Sequence, residues 1–281
     1  MNINHETVSI VTGGSSGIGL SISKELAKLQ SKVYMFARNK DKLEKARKEI
    51  QSLPDVSENR VFWKSVDITN TQKFLDEIDA VYDKEKRLDV LVNNAGFFRP
   101  TNVDGDMDNP GDVFIEEKLM DVHFKAPFMA ARHAIANYRE NGLSVHNISS
   151  HIVLKYLPNN FGYGSAKAGL IEAMSEISKS LRKENIEGVH ISAVFPSVVG
   201  TQGVIELMKE GVLDNPASPK SVALTSLYLI QKEKPYAYVG YDEDKGIVRR
   251  LYSDGKPLDF DNYISEDIID ESYNPKQLLK D

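Results

Sequence analysis

Three side chains in the middle of the chain could together move a proton onto or off a carbon–oxygen group. Tyr163 and Lys167 stand four residues apart in Tyr163-Gly164-Ser165-Ala166-Lys167, and Ser150 lies upstream with twelve residues between. On a helix, residues at i and i+4 project from one face about one turn apart. A phenol exchanges its proton poorly near neutrality, because its unperturbed pKa is about 10. An ammonium beside it stabilises the phenolate and lowers that value, which makes a tyrosine a usable acid or base. A serine hydroxyl close by would hold a carbonyl oxygen in place. Tyr-x-x-x-Lys spacing is also common on solvated helix faces, so the surrounding elements must decide whether the pair is a site.

Val8-Ser9-Ile10-Val11 is a short β-rich run that ends in Thr12-Gly13-Gly14-Ser15-Ser16-Gly17-Ile18-Gly19. Ile18, Ile22, Leu26 and Leu29 then repeat at helical spacing, which predicts one apolar helix face. A strand, a glycine turn and a helix in this order form the context of a dinucleotide-binding loop. Gly13 permits the tight turn, Gly17 lets backbone approach a pyrophosphate, and Gly19 lets the helix pack close on the sheet. The phosphates would rest on the helix N-terminus, at Ser15, Ser16 and Ile18, where free N–H groups and the dipole favour anions. The alternative is a glycine-rich loop with no ligand.

Lys32–Ala37 reads as the second strand and closes a βαβ unit. A cofactor with a free ribose 2′-hydroxyl usually meets an acidic residue at its end. Ala37 and Arg38 stand there instead. A guanidinium suits a 2′-phosphate, which points to NADP(H) as the preferred cofactor with NAD(H) as the alternative. Otherwise Arg38 is an exposed residue opening the charged helix 41–50. Val61–Val66 reads as a third strand ending at Asp67-Ile68, where Asp67 either accepts from an adenine amino group or caps a turn. After a helix over 71–86, Leu88–Val92 is a continuous apolar run leading into Asn93-Asn94-Ala95-Gly96. Such strands need helices on both faces. Strands alternating with helices predict an α/β fold: one doubly wound Rossmann-type domain with a mainly parallel seven-stranded sheet.

The loop over 97–111 leaves the carboxyl end of the fourth strand, where open α/β sheets bind ligands. A helix over 112–141 contains Pro127, which has no N–H for the carbonyl of His123. Either the helix simply kinks there, or the freed carbonyl holds a water. A fifth strand ends at Ser150, a helix carries Tyr163 to about Asn185, and Val189–Pro196 reads as the sixth strand. An amphipathic segment over 202–210, a helix over 219–232 and a seventh strand over 236–240 complete the pattern. The expected organisation is a domain over 1–240, with a substrate-binding segment at about 197–216, and a polar, partly ordered extension over 241–281.

The net charge of −6 argues against nucleic acid or an anionic membrane as a main partner. Without cysteine there are no disulfides, no Cys–zinc sites and no thiol catalysis; no metal site is expected. No apolar stretch approaches the ~20 residues that span a bilayer. Met1–Thr7 has no signal-like pattern, so the expectation is a cytoplasmic protein.

Over roughly Val8 to Gly240 the chain resembles the short-chain dehydrogenase/reductase family, on Thr12-Gly-x-x-x-Gly-Ile-Gly19, Asn93-Asn-Ala-Gly96, Ser150 and Tyr163-x-x-x-Lys167 in order. The resemblance implies that Ser150 orients a substrate carbonyl and Tyr163 is the general acid/base. It implies that Lys167 lowers the tyrosine pKa and holds the nicotinamide ribose. Asn93, Asn94, Ala95 and Gly96 would lie along the cofactor, with Asp67 and Ile68 bordering the adenine. Pro196, Val199 and Thr201 would meet the nicotinamide end. Three departures stand out. His123 occupies the place of an Asn that completes a proton relay with Lys167 in most relatives, and the backbone carbonyl there could keep the relay with His123 in it. Ser197 follows Pro196 where relatives usually carry Gly. The aspartate-glycine-glycine ending after the last strand is missing.

The implied activity is NAD(P)(H)-dependent interconversion of a ketone or aldehyde and an alcohol. Phe97, Phe98, Ile152, Tyr156, Leu157, Ile205 and Met208 would meet the substrate, and that set suggests an apolar small molecule. The alternative is a cofactor-binding regulator or scaffold with little turnover. The resemblance also implies a homodimer or homotetramer through the helices around 123–141 and 163–185.

Overall fold

The computed structural model describes residues 1–99, 110–154, 160–201, 217–242, 246–252 and 263–264. The predicted amphipathic segment at 202–210 and most of the extension lie outside the described residues. The apolar runs form β1 (Val8–Thr12), β2 (Lys32–Ala37), β3 (Val61–Ser65), β4 (Val90–Asn93), β5 (Leu143–Ile148), β6 (Val189–Pro196) and β7 (Tyr236–Asp242). These seven strands are parallel, in the order β3-β2-β1-β4-β5-β6-β7. The order reverses between β1 and β4, which leaves a crevice at their carboxyl ends where such sheets bind ligands.

Strand side chains alternate between two helix layers. Val11, Met35, Val92, Ile148 and Val194 face α1 (Gly17–Lys28), α2 (Lys40–Gln51) and the last long helix, Pro219–Lys232. Ile10, Phe36, Leu91 and Val145 face the opposite layer, which begins with α3 (Thr71–Glu85). That layer continues through α4 (Pro110–Met120), α5 (Ala126–Tyr138) and α6 (Phe161–Lys183); Pro219–Lys232 is α7. Phe36, Phe74 and Leu26 are fully buried, and each such side chain contributes roughly 2 kcal/mol through removal from water. Among the described residues no helix is long and apolar enough to cross a membrane.

The seven parallel strands agree with the sequence reading, and two features go beyond it. Among the described residues the sheet is extended to nine strands: β8 (Gly246–Tyr252) runs antiparallel along β7, and β9 (Tyr263–Ile264) pairs with β8. β7 itself continues past residue 240 to Asp242, so the sequence beyond 240 begins inside the sheet. A bare β7 edge would expose a row of unpaired N–H and C=O groups, which β8 satisfies.

The single helix expected over 112–141 is broken into α4, one wide π turn at Asp121–Lys125, α5, and a 3-10 turn at Arg139–Asn141. The Ala126 N–H reaches back to the Asp121 carbonyl, and Pro127 follows in the first turn of α5. The missing proline N–H makes this the cheapest place to widen the helix. The wide turn carries His123 inward, to 2% exposure.

A second buried imidazole lies under the sheet. His146 Nδ1 is 2.8 Å from Ser192 Oγ across β5 and β6. Burial pulls its pKa down to about 3, with His190 adding to the effect. The unfolded imidazole takes a proton near pH 6.5 while the folded one refuses it. This contribution is therefore complete above about pH 6.5 and declines as the pH falls toward about 3, by about 2 kcal/mol between pH 7 and pH 5. His146→Leu is expected to remove that part of the acid dependence, as measured by urea unfolding at the two pH values. Equal losses in both proteins would show that His146 is not its source.

Candidate active site

α6 starts at Phe161, so Tyr163 and Lys167 fall in its first two turns, on the side toward β5. Lys167 is 5% exposed, and its Nζ donates to the carbonyl of Ile148, the last residue of β5, at 2.6 Å. Ser150, two residues farther, caps the short turn His151–Val153 by accepting the Ile152 N–H. It is also hydrogen-bonded to the Tyr163 phenol. Ser150, Tyr163 and Lys167 thus meet in one cleft of about 300 Å³, whose walls include Ile18, Asn94, Gly96, Pro196, Val199 and Thr201. Phe97, Phe98 and Ile152 line it as well. Tyr156, Leu157, Ile205 and Met208 lie outside the described residues.

The glycine turn forms the other end of the cleft. Gly13 has φ +68°, and its N–H bonds to the Phe36 carbonyl at 2.7 Å. A Cβ on Gly19 would collide with the Gly13 carbonyl and the Asn94 amide, so α1 approaches β4 only because residue 19 has no side chain. Thr201 crosses the loop: a Cβ on Gly17 would lie 3.1 Å from its methyl group. Ser16 caps α1 without a side-chain hydrogen bond, and no acidic residue stands in the first turn. That leaves backbone donors and a dipole suited to an anion, and the residues fit a dinucleotide pyrophosphate.

At the end of β2, Arg38 is exposed, and its carbonyl accepts from Ser65 Oγ at 2.9 Å. Asp67 does cap a turn: its Oδ1 accepts the Thr69 N–H at 3.0 Å and the Thr69 hydroxyl at 2.8 Å. Burial raises its pKa, but the Thr69 hydrogen bonds and the Arg38 and Lys118 charges outweigh that and hold it below the usual value. Ile68 beside it is buried.

The electrostatics differ from the expectation that Lys167 lowers the tyrosine pKa. Burial pushes Tyr163 up to about 12, against the hydrogen bond from Ser150. Burial pulls Lys167 down to about 7. Its Nζ sits 5.8 Å from the centre of the Tyr163 ring, directed at the Ile148 carbonyl. The Tyr163 shift comes from burial and from Ser150, with no contribution from Lys167.

His123, expected in the site chiefly through its backbone carbonyl, also enters it through its side chain. Its Nε2 lies 2.7 Å from the Phe97 carbonyl, and its ring packs edge-on to Tyr163 with centroids 4.9 Å apart. Burial, reinforced by the Lys167 charge, pulls its pKa well below that of a free histidine despite the Phe97 bond. The imidazole is neutral.

Thr12 and Asn93, both within the quoted motifs, have hydrogen-bond partners that the sequence does not show. Thr12 Oγ1 accepts the N–H groups of Asn94 and Ala95 at 2.9 and 3.0 Å and donates to the Val92 carbonyl. Asn93 donates to the Asn147 side chain at 3.0 Å. A pocket of about 10 Å³, room for about one water, lies among Asn93, His123, Pro127 and Lys167. Asn93 Oδ1 and His123 Nδ1 have no hydrogen-bond partner among the described residues.

The family model for short chain dehydrogenases matches residues 7–210. The chain belongs to this family. It is 28% identical over 231 residues to an uncharacterized oxidoreductase of Staphylococcus saprophyticus, covering 81% of this chain and 92% of that protein. It is 27% identical over 234 residues to the 3-oxoacyl-[acyl-carrier-protein] reductase of Thermotoga maritima, covering 82% and 92%. A crystal structure of a short chain dehydrogenase from Bacillus anthracis superposes with a TM-score of 0.66 at 22% identity, covering 80% of this chain and 89% of that one; this likeness shows the fold. Family membership brings oxidoreductase activity with an NAD(P) cofactor and a small-molecule substrate.

Gly19→Ala tests the cofactor end of the cleft. Its Cβ is expected to push α1 from β4, costing about 1–3 kcal/mol of stability and weakening dinucleotide binding at least tenfold. Urea unfolding and a fluorescence titration with NADPH measure the two effects.

Proposed function

We propose that this protein interconverts a ketone or aldehyde and an alcohol, with NADP(H) preferred over NAD(H). The observation that carries the reading is the convergence of Ser150, Tyr163 and Lys167 in the cleft that also opens on the glycine turn. Bound there, the dinucleotide supplies or accepts the hydride at the carbonyl carbon. Ser150 donates a hydrogen bond to the carbonyl oxygen, and Tyr163 gives that oxygen its proton in reduction or removes it in oxidation. Lys167 holds the nicotinamide ribose and, when protonated, favours the phenolate. Gly13, Ser15, Ser16, Gly17, Ile18 and Gly19 bind the pyrophosphate; Asp67 and Ile68 border the adenine. Asn94, Ala95, Gly96, Pro196, Val199 and Thr201 line the rest of the path.

A proton returns to Tyr163 by way of Lys167 and the one-water pocket behind it. The His123 carbonyl, to which Pro127 has no N–H to give, belongs to this path. The apolar walls at Phe97, Phe98 and Ile152 favour an apolar substrate. The relatives named as 3-oxoacyl reductases make a 3-oxoacyl group a reasonable member of a test panel. We further read the protein as a cytoplasmic homo-oligomer assembled through α5 and α6, with residues 1–240 as its catalytic domain and 241–281 as an extension.

The test is oxidation of NADPH and NADH over a panel of ketones and aldehydes. Tyr163→Phe is expected to lower kcat/KM at least a hundredfold. Turnover that survives Tyr163→Phe would remove the tyrosine from the mechanism. Binding of cofactor with no turnover on any carbonyl would favour a regulatory role. The cofactor preference has its own measurement, since Arg38→Asp is expected to weaken NADPH far more than NADH. Equal weakening would return Arg38 to the role of an exposed helix-opening residue.

A further inference from the structure

We infer that His123 is a positioning residue for substrate selection, holding the loop after β4 so that Phe98 forms an aromatic wall beside Tyr163. The inference rests on the carbonyl-reduction reading and names the part of the cleft that chooses the substrate.

His123 Nε2 is 2.7 Å from the Phe97 carbonyl and 3.3 Å from the Phe97 amide nitrogen. One nitrogen cannot donate and accept along both directions, and the shorter contact puts the proton on Nε2. The imidazole therefore donates to the loop and fixes the place of Phe97. Its ring also packs against the Phe97 ring, at 5.7 Å between centroids, and against Tyr163. A Cβ on Gly96 would collide with His123 Cε1, so the loop comes this close only because residue 96 is glycine. An asparagine at 123 would lack the aromatic ring that packs against Phe97 and Tyr163.

The loop held in this way presents Phe98. Its ring stands edge-to-face with Tyr163 at 5.4 Å and 89°, yet it is 45% exposed. Phe97, at 37% exposed, lines the same cleft. Large aromatic rings left open inside a concave cleft are binding surface. A flat aryl or alicyclic group packs against Phe98 while its carbonyl meets Ser150 and Tyr163. A short aliphatic ketone gains little from that wall.

The experiment compares kcat/KM for acetophenone with kcat/KM for 2-butanone. Phe98→Ala is expected to lower the ratio about tenfold, mainly through KM for acetophenone. His123→Asn is expected to lower it by a similar factor, and the double variant no further than the stronger single one. Hydrogen exchange of a peptide covering residues 95–99 is expected to speed up about tenfold in His123→Asn. A wild-type ratio in either single variant, multiplying effects in the double variant, or unchanged exchange would each overturn the inference. If the wild type reduces no carbonyl, the oxidoreductase reading fails. Calorimetric titration of acetophenone into the NADPH-saturated proteins then decides separately. Tighter binding by the wild type than by both variants keeps the wall, and equal binding removes it.

Discussion

The hydroxyl of Thr12 joins the two halves of this protein. It takes the N–H groups of Asn94 and Ala95 and donates to the Val92 carbonyl, while the Asn94 amide returns a bond to the Thr12 carbonyl at 2.8 Å. This seam lies at the carboxyl ends of β1 and β4, where the strand order reverses. It is tight enough that neither Gly13 nor Gly19 has room for a Cβ beside Asn94. The glycine turn that receives a dinucleotide and the loop that leads to Tyr163 are thus built on one set of hydrogen bonds. Because the buried Thr12 hydroxyl donates one of these bonds and accepts two, moving one strand end would cost the others.

From the seam outward, each catalytic group is placed by an element that must be where it is for other reasons. Lys167 reaches the Ile148 carbonyl because α6 packs Leu170 and Met174 into the core under β5. Tyr163 lies one turn earlier on the same helix, and Ser150 follows where β5 ends. The cost is the burial of an amine and a phenol whose charged forms are both disfavoured. A partly unsatisfied site on a well-packed scaffold is the usual compromise between stability and function.

His123 shows how one substitution spreads. The proline at 127 permits a wide turn, the wide turn brings residue 123 inward, and the imidazole there meets the Phe97 carbonyl. Gly96 gives way sterically, and the aromatic pair at 97 and 98 is drawn over the cleft.

The strands, the order of the helices and the chemistry of the glycine turn were readable from the chain itself, because they rest on local periodicity and on residues whose backbone freedom or charge has few other uses. The Ser150, Tyr163 and Lys167 set was named through the family resemblance, because Tyr-x-x-x-Lys spacing by itself also fits a solvated helix face. What the tertiary structure alone decided depends on contacts between distant segments. The Thr12 seam, the side-chain role of His123, the turn capped by Asp67 and the pKa directions of Tyr163 and Lys167 are of this kind. β8 is too, since the short run Gly246–Tyr252 becomes a strand only where the β7 edge offers it hydrogen bonds. Burial and pairing across the sheet have no signature along the chain, and they set both the electrostatics of the site and the shape of its walls.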